Sequence, residues 1–459
     1  MTSNFGARRD LLVAKLGQVS ELEHATCCLY LFAAASMKLR PSEGSCTWAQ
    51  IEQARVWKTT LLSIARQEME HLAIVSNLLT AIGEAPWYRR PAFPVGDDEY
   101  PNHLELPLTA FSLEAVGRFL LIELPESRDD DERRLRDGLS TSTLPEDHEL
   151  LRRLDQASDP NHVLDTLAAL YQEIVDLFDE LGNPAKGGDP KALFVGPPEA
   201  QVGNAAVFPT FPPVPDNVRN YDVLVSMVTD LDSAQQAIRQ IRLEGEGGPS
   251  ADVPSGGDHF GRFVEMYLQL SEATRLDPAF TPGRPVVDNP VTPPTSRTRA
   301  TPAKSGTTTV TRQDTAEAME IYAIAYDVAL RMLIHLFAYT PEAHDEYEAL
   351  QDTVFFPMMT LVFRPLGDIL TEMPAFDDGR PGNAGPSFVT ARDIGLLPHP
   401  GAAWKVMTEQ LRELRDRMAD LAHSAEFDPG IMERLSFMAE NTWRMHSNFA
   451  AKTGLGVES

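Results

Sequence analysis

The segment from about Thr47 to Ile82 has the periodicity of one long helix. The seam along it, Leu61, Ala65, Glu68, Leu72, Val75 and Leu79, is apolar except for a single carboxylate. Few folds let a helix turn an acid inward. Within "RQEMEHLA" (66–73), His71 lies three residues after Glu68 and projects from nearly the same face. Glu70, about 200° round from Glu68, is expected to point outward. A buried carboxylate is costly unless a metal ion or a cationic partner neutralises it. The pair alone does not decide between a metal ligand set and a satisfied structural Glu/His pair.

The segment from about Arg9 to Lys38 has the same character. Its seam reads Leu12, Leu16, Val19, Glu23, Thr26, Tyr30 and Ala33, again with one charge, and it stops before Pro41. The short connection "LRPSEGSCTW" predicts that the two helices lie antiparallel, each burying a carboxylate. Glu21 and His24 fall on an adjoining face, as supporting groups or as solvated residues capping one another. Further helical periodicity covers 109–126, 162–181, 232–246, 313–339 and 401–424, with a charged stretch at 127–160. Residues 278–312 are rich in Pro and Thr and read as an extended connector. With no internal repeat and no run of strands, the fold class is all-α. The expected division is a bundle over 1–275, a connector over 276–312 and a C-terminal helical region over 313–459 packing on the bundle.

Charge narrows the partners. The 67 Asp and Glu against 40 Lys and Arg give a net charge of −27, which repels phosphate backbones, so no nucleic-acid partner is expected. No window is read as the roughly 18 uncharged apolar residues of a membrane span, and the N-terminal residues lack an apolar signal block. Cys27, Cys28 and Cys46 form neither a disulfide framework nor a CxxC spacing. The chain is therefore expected to be cytoplasmic, without a membrane partner, and a homodimer is left open.

Inward Glu and Glu-x-x-His at this spacing have a known physical use. In bundles that hold two iron or manganese ions, two helices each supply a Glu and two others each supply Glu-x-x-His. Carboxylates neutralise the ions, imidazoles complete the coordination, and open positions admit dioxygen or substrate. Later ligands are sought at "IRLEGEGGPSADVPSGGDHFGRF", where Glu244, Glu246 and His259 flank a glycine-rich interruption. Such a break would let Glu246 and His259 converge. An ordinary helix stop followed by a surface loop fits the same residues.

The motifs "SELEHATCCLYLFAAASMK", "IARQEMEHLAIVSNLLTAIG", "FLLIELPE", "IRLEGEG", "DHFGRFVEM", "VVDNP" and "GNAGPSF" occur in order over most of the chain. Together they resemble the ferritin-like family that includes the iminophenyl-pyruvate dimer synthases of violacein-type pigment biosynthesis. The resemblance implies a ferritin-like helical bundle, a metal-dependent oxidative reaction and a role in secondary metabolism. It also implies that Glu23, Glu68, His71, Glu246 and His259 are metal ligands. The third bundle helix departs from the pattern: "TLAALY" (166–171) has Ala169 where the family has a carboxylate. Glu173, on the flank of Val163, Leu170 and Leu177, is the expected substitute. Glu123, on the stripe of Leu113, Val116 and Leu120, is the alternative. The dimer synthases are also much longer chains.

The expected function is thus an oxidoreductase with two iron ions, manganese or zinc not being excluded. It would use dioxygen or peroxide on an amino-acid-derived small molecule, as in oxidative coupling of imines. The competing expectation is a non-catalytic metal-sequestering protein. His335 in "RMLIHLFAY" reads as a hydrogen-bonded core histidine, and "FFPMMTLVF" (355–363) as core packing.

Overall fold

Both seams become long helices. In the computed structural model α1 runs Thr2–Ser36 and α2 runs Trp48–Ala81. Residues 2–455 are described, apart from 90, 97–103, 126–129, 158–166, 204–224, 246–256, 294–303, 339–343, 391–393, 398 and 425–426. The last carbonyls of α1 find partners far along the chain, since Arg284 donates from its backbone N to Ser36 O at 2.7 Å and from Nη1 to Ala35 O at 3.0 Å. Glu43 neutralises that buried guanidinium at 2.6 Å.

The fold is all-α, as expected. Helices α3 (Leu113–Ile122), α4 (Asp130–Ser140), α5 (Pro145–Ala157), α6 (Leu167–Gly182) and the one-turn α7 (Pro190–Leu193) follow. Then come α8 (Leu231–Glu244) and α9 (His259–Leu276). Their ends are written locally. Ser112 caps α3 by accepting from Ala115 N, Asp230 caps α8 by accepting from Ser233 N, and Asp258 caps α9 by accepting from Gly261 N at 2.7 Å. Pro125 prevents α3 from continuing beyond Glu123. The charged stretch 127–160 holds two regular helices, α4 and α5, and α9 is a full helix that the periodicity did not announce.

Two compact units result, each assembled from three segments. The first comprises Met1–Leu78, Phe93–Val195 and Val228–Arg284, and the second Leu79–Ala92, Gly196–Met227 and Pro285–Ser459. The stretch read as a connector is thus divided at Arg284. In the first unit α1 packs along α6, α6 against α8, and α3 against α9.

The second unit contains α10 (Gln313–Phe337), α11 (His344–Thr353), a π-helical stretch Val354–Phe363, α12 (Arg364–Leu370), α13 (Pro400–Ser424) and α14 (Pro429–Lys452). Two short strands, β1 (Pro290–Val291) and β2 (Thr308–Thr309), pair in parallel. Helices α13 and α14 pack together, and α10 packs against α13 and the π-helical stretch. One departure concerns membranes: Ala349–Leu370 is long and apolar enough to cross one, against the reading that no window qualifies. Just over half of that window is buried in the protein, the condition of a core helix.

His335 sits in this second core, 1% exposed, and accepts from Leu397 N through Nε2 at 3.3 Å. Burial, helped by the nearby Arg331, pushes its pKa down from 6.5 to about 4. The folded state therefore binds fewer protons than the unfolded one. Its contribution is complete above pH 6.5 and is lost as the pH falls toward 4, amounting to roughly 3 kcal/mol. Urea unfolding at pH 7 and pH 4.5 should show this loss in the wild-type chain and a smaller one in His335→Gln. An equal acid loss in the variant would remove His335 as its cause.

Candidate metal centre

Five helices of the first unit deliver carboxylates and imidazoles to one buried point. Glu23 comes from the middle of α1, and Glu68 and His71 come from successive turns of α2. Glu123 closes the C-terminus of α3 and His259 opens α9. Glu23, Glu68, His71, Glu123 and His259 are each no more than 2% exposed. Glu244, the last residue of α8, reaches the same imidazole from the far side.

The donors form two triplets, Glu23 with Glu68 and His71, and Glu68 with Glu123 and His259. Within each, the ligand atoms lie within 4.8 Å of one another. Glu68 belongs to both. His71 Nδ1 stands 3.3 Å from Glu23 Oε2 and 3.8 Å from Glu68 Oε2, and His71 Nε2 lies 3.5 Å from Glu244 Oε2. His259 Nδ1 lies 3.0 Å from Glu68 Oε1 and 3.5 Å from Glu123 Oε2. The two imidazoles stack with centroids 5.6 Å apart. Yet Glu68 Oε1, His71 Nε2 and both nitrogens of His259 make no hydrogen bond to any described residue. His71 Nδ1 and Glu23 Oε2 are hydrogen-bonded, but the other buried atoms converge without bonding one another, which suits a shared cation rather than a self-satisfied network.

Two tyrosines fix the outer carboxylates. The Tyr171 hydroxyl donates to Glu23 Oε1, and the Tyr30 hydroxyl donates to Glu123 Oε1. Each outer glutamate thus commits Oε1 to a phenol and turns Oε2 toward an imidazole. Helical spacing accounts for the support. Tyr30 follows Glu23 by seven residues, Phe119 precedes Glu123 by four, and Phe263 follows His259 by four. The three rings meet with centroids 4.8 to 5.4 Å apart, forming an apolar wall behind Glu123. Thr26 Oγ1, on the α1 seam, is 3.1 Å from Glu68 Oε2.

Electrostatics follow from this burial. Burial and the Glu68 charge push Glu23 up to about 8, and burial likewise raises Glu123. For Glu68, burial is outweighed by His259 and His71, which hold it well below the usual carboxylate range. Burial opposes charge on both imidazoles, but the facing carboxylates raise them above the ordinary histidine value. Cys27, buried near Glu68 and Glu23, is held as the thiol by burial. Without metal the cluster retains protons at neutral pH, and a bound cation displaces them.

The donor set fits divalent transition metals. Carboxylates and neutral imidazoles with no thiolate in either triplet are the ligands of iron, manganese or zinc, and three or four carboxylates offset much of the charge of two such ions.

Several sequence expectations meet this geometry differently. Glu23, Glu68, His71 and His259 converge. Glu173 does not reach the cluster: its side chain is 55% exposed and pairs with Lys15 at 2.7 Å. It lies about 200° round α6 from Tyr171, which faces Glu23. Glu123 stands at the centre in its place. Glu246 lies outside the described residues, and Glu244 is the acid of that motif seen beside His71. Glu70, expected at the surface, is only 4% exposed, because α2 is buried on every face from His71 through Asn77. Its carboxylate lies 3.6 Å from Arg66 Nε. His24 is buried but belongs to neither triplet. The roles of Tyr30 and Tyr171 were not foreseen, although Tyr30 stood on the α1 seam with Glu23.

The ferritin-like family profile matches residues 16–268, more than half of the sequence and the whole span of these donors. The chain belongs to the ferritin-like family. It is also similar to dichlorochromopyrrolate synthase of Lentzea aerocolonigenes, 26% identical over 395 residues, covering 83% of this chain and 34% of that protein. A second relative is 2-imino-3-(indol-3-yl)propanoate dimerase of Chromobacterium violaceum, 25% identical over 392 residues, covering 82% of this chain and 33% of that protein. The chain therefore spans about a third of the length of these curated relatives. No solved structure matches.

Proposed function

We propose that this ferritin-like protein is an oxidoreductase with two metal ions, iron in the first instance. In this reading it couples amino-acid-derived imines oxidatively, with dioxygen or peroxide as the oxidant. One observation supports the reading: Glu68 is common to both donor triplets, as a carboxylate shared by two ions would be. The names of the two relatives, a 2-imino-3-(indol-3-yl)propanoate dimerase and a dichlorochromopyrrolate synthase, support the substrate class.

Glu23 and His71 would hold one ion, Glu123 and His259 the other, and Glu68 both, with Glu244 beside His71. The chemistry supplied by such a pair when bound is a two-electron exchange with dioxygen or peroxide. Tyr171 and Tyr30 keep the outer carboxylates oriented through the reaction. The wall of Tyr30, Phe119 and Phe263 keeps water away from the Glu123 side. In the coupling, two substrate C–H bonds break and one C–C bond forms. The two protons and two electrons released reduce dioxygen to hydrogen peroxide, or peroxide to two waters.

Anaerobic titration with Fe(II), followed by oxygen and watched by absorption, tests this reading. Binding of about two equivalents and oxidation faster than buffer controls are expected. Iron that binds but oxidises no faster than the control would favour sequestration. Failure to bind would end both.

A further inference from the structure

We infer that Arg262, braced by Gln67, anchors the carboxylate of an α-imino or α-oxo acid beside the cluster. This deepens the oxidase reading and rests on it. Arg262 follows His259 by one turn of α9, and Gln67 immediately precedes Glu68 on α2, so both adjoin a donor residue. The guanidinium donates from Nη2 to Gln67 Oε1 and from Nε to the carbonyl oxygen of Asp258 at 3.3 Å. Gln67 in turn donates from Nε2 to Glu244 Oε2 at 3.3 Å, which fixes its amide with the oxygen toward the arginine.

The unusual feature is what Arg262 does not do. Glu68, Glu123, Glu244 and Asp258 all act on its charge, yet among the described residues it forms no ion pair. A neutral amide stands between it and Glu244. A guanidinium has five N–H donors in a planar fork, and only two are engaged here. The remainder include both hydrogens of Nη1, on a residue of intermediate exposure. If charge balance were the whole role of Arg262, direct pairing with a neighbouring carboxylate would serve better. A fork held open by a neutral brace suits bidentate capture of a carboxylate that arrives with the substrate. Such an acid then lies with its carboxylate one helical turn from the His259 donor, its α-carbon facing the cluster.

The test uses the full chain loaded with Fe(II) under argon, and indole-3-pyruvate as a stable oxo acid probe with its methyl ester as the control. Wild-type protein should bind the acid about 10- to 100-fold more tightly than the ester by calorimetry. Arg262→Gln should bring the acid to the ester's affinity, and Arg262→Lys should recover part of the difference. Equal affinity for acid and ester in the wild-type chain, or no binding of either, overturns the anchor whether or not the variants fold. Iron content on the same samples separates the two readings. Iron-loaded protein with no preference for the acid sinks the anchor alone. Protein that takes up no iron yet prefers the acid upholds the anchor and sinks the oxidase.

Discussion

Glu68→Gln is expected to abolish metal binding at both positions, whereas Glu23→Gln removes only one. The wild-type chain should retain about two equivalents after gel filtration, Glu23→Gln about one, and Glu68→Gln less than about 0.2. The asymmetry follows from connectivity, because Glu68 faces His71 through Oε2 at 3.8 Å and His259 through Oε1 at 3.0 Å. Glu23 serves one triplet only. Metal content by elemental analysis, with helicity by circular dichroism to confirm folding, reads the result directly. A Glu68→Gln protein that keeps a full equivalent would show that the triplets are independent and that the bridge does not exist.

The second large effect is at Gly245, a residue with no side chain to offer as a ligand. A Cβ there would lie 3.3 Å from His71 Cε1 and 3.4 Å from His259 Nδ1, so the backbone at the end of α8 sits against both imidazoles. Its φ of −99° is open to any residue, which makes space rather than backbone conformation the constraint. Gly245→Ala should be tolerated with a small shift of the rings. Gly245→Val should drive the two imidazoles off their carboxylates, costing about 1–3 kcal/mol in stability and about 10- to 100-fold in metal affinity. Competition with a chelator of known affinity measures the second quantity. An unchanged affinity in Gly245→Val would mean that the imidazoles have room to move and that Gly245 is a helix stop only.

Legibility in the sequence depended on where along a helix each donor lies. Glu23, Glu68 and His71 sit in mid-helix, where a lone charge in an apolar seam is conspicuous. Glu123 and His259 sit at helix ends, where seams break down and capping signals dominate. Glu123 therefore appeared only as an alternative, and His259 appeared beside a glycine-rich gap rather than at the start of α9. Glu173 drew attention because Leu170 and Leu177 flank it at helical spacing, and both are buried. Side-chain direction on α6 decides against it, since Tyr171 takes the inward position and α6 brings a hydroxyl where a carboxylate was sought. Glu70 misled in the other direction, because a helix angle locates the face opposite Glu68 but cannot say that this face is also covered. The π-helical stretch Val354–Phe363 and the interleaving of two units along the chain leave no periodic signature at all.

The placement of the donors has a mechanical consequence. Residues 23, 68, 71, 123 and 259 come from four separate helices, Glu68 and His71 sharing α2, and span most of the first unit's sequence. An ion held among them closes every intervening loop at once, as a covalent crosslink would, and its binding energy is paid only to the folded arrangement. Loading is therefore a knot drawn tight around the first unit's helices, from which all the donors among the described residues come.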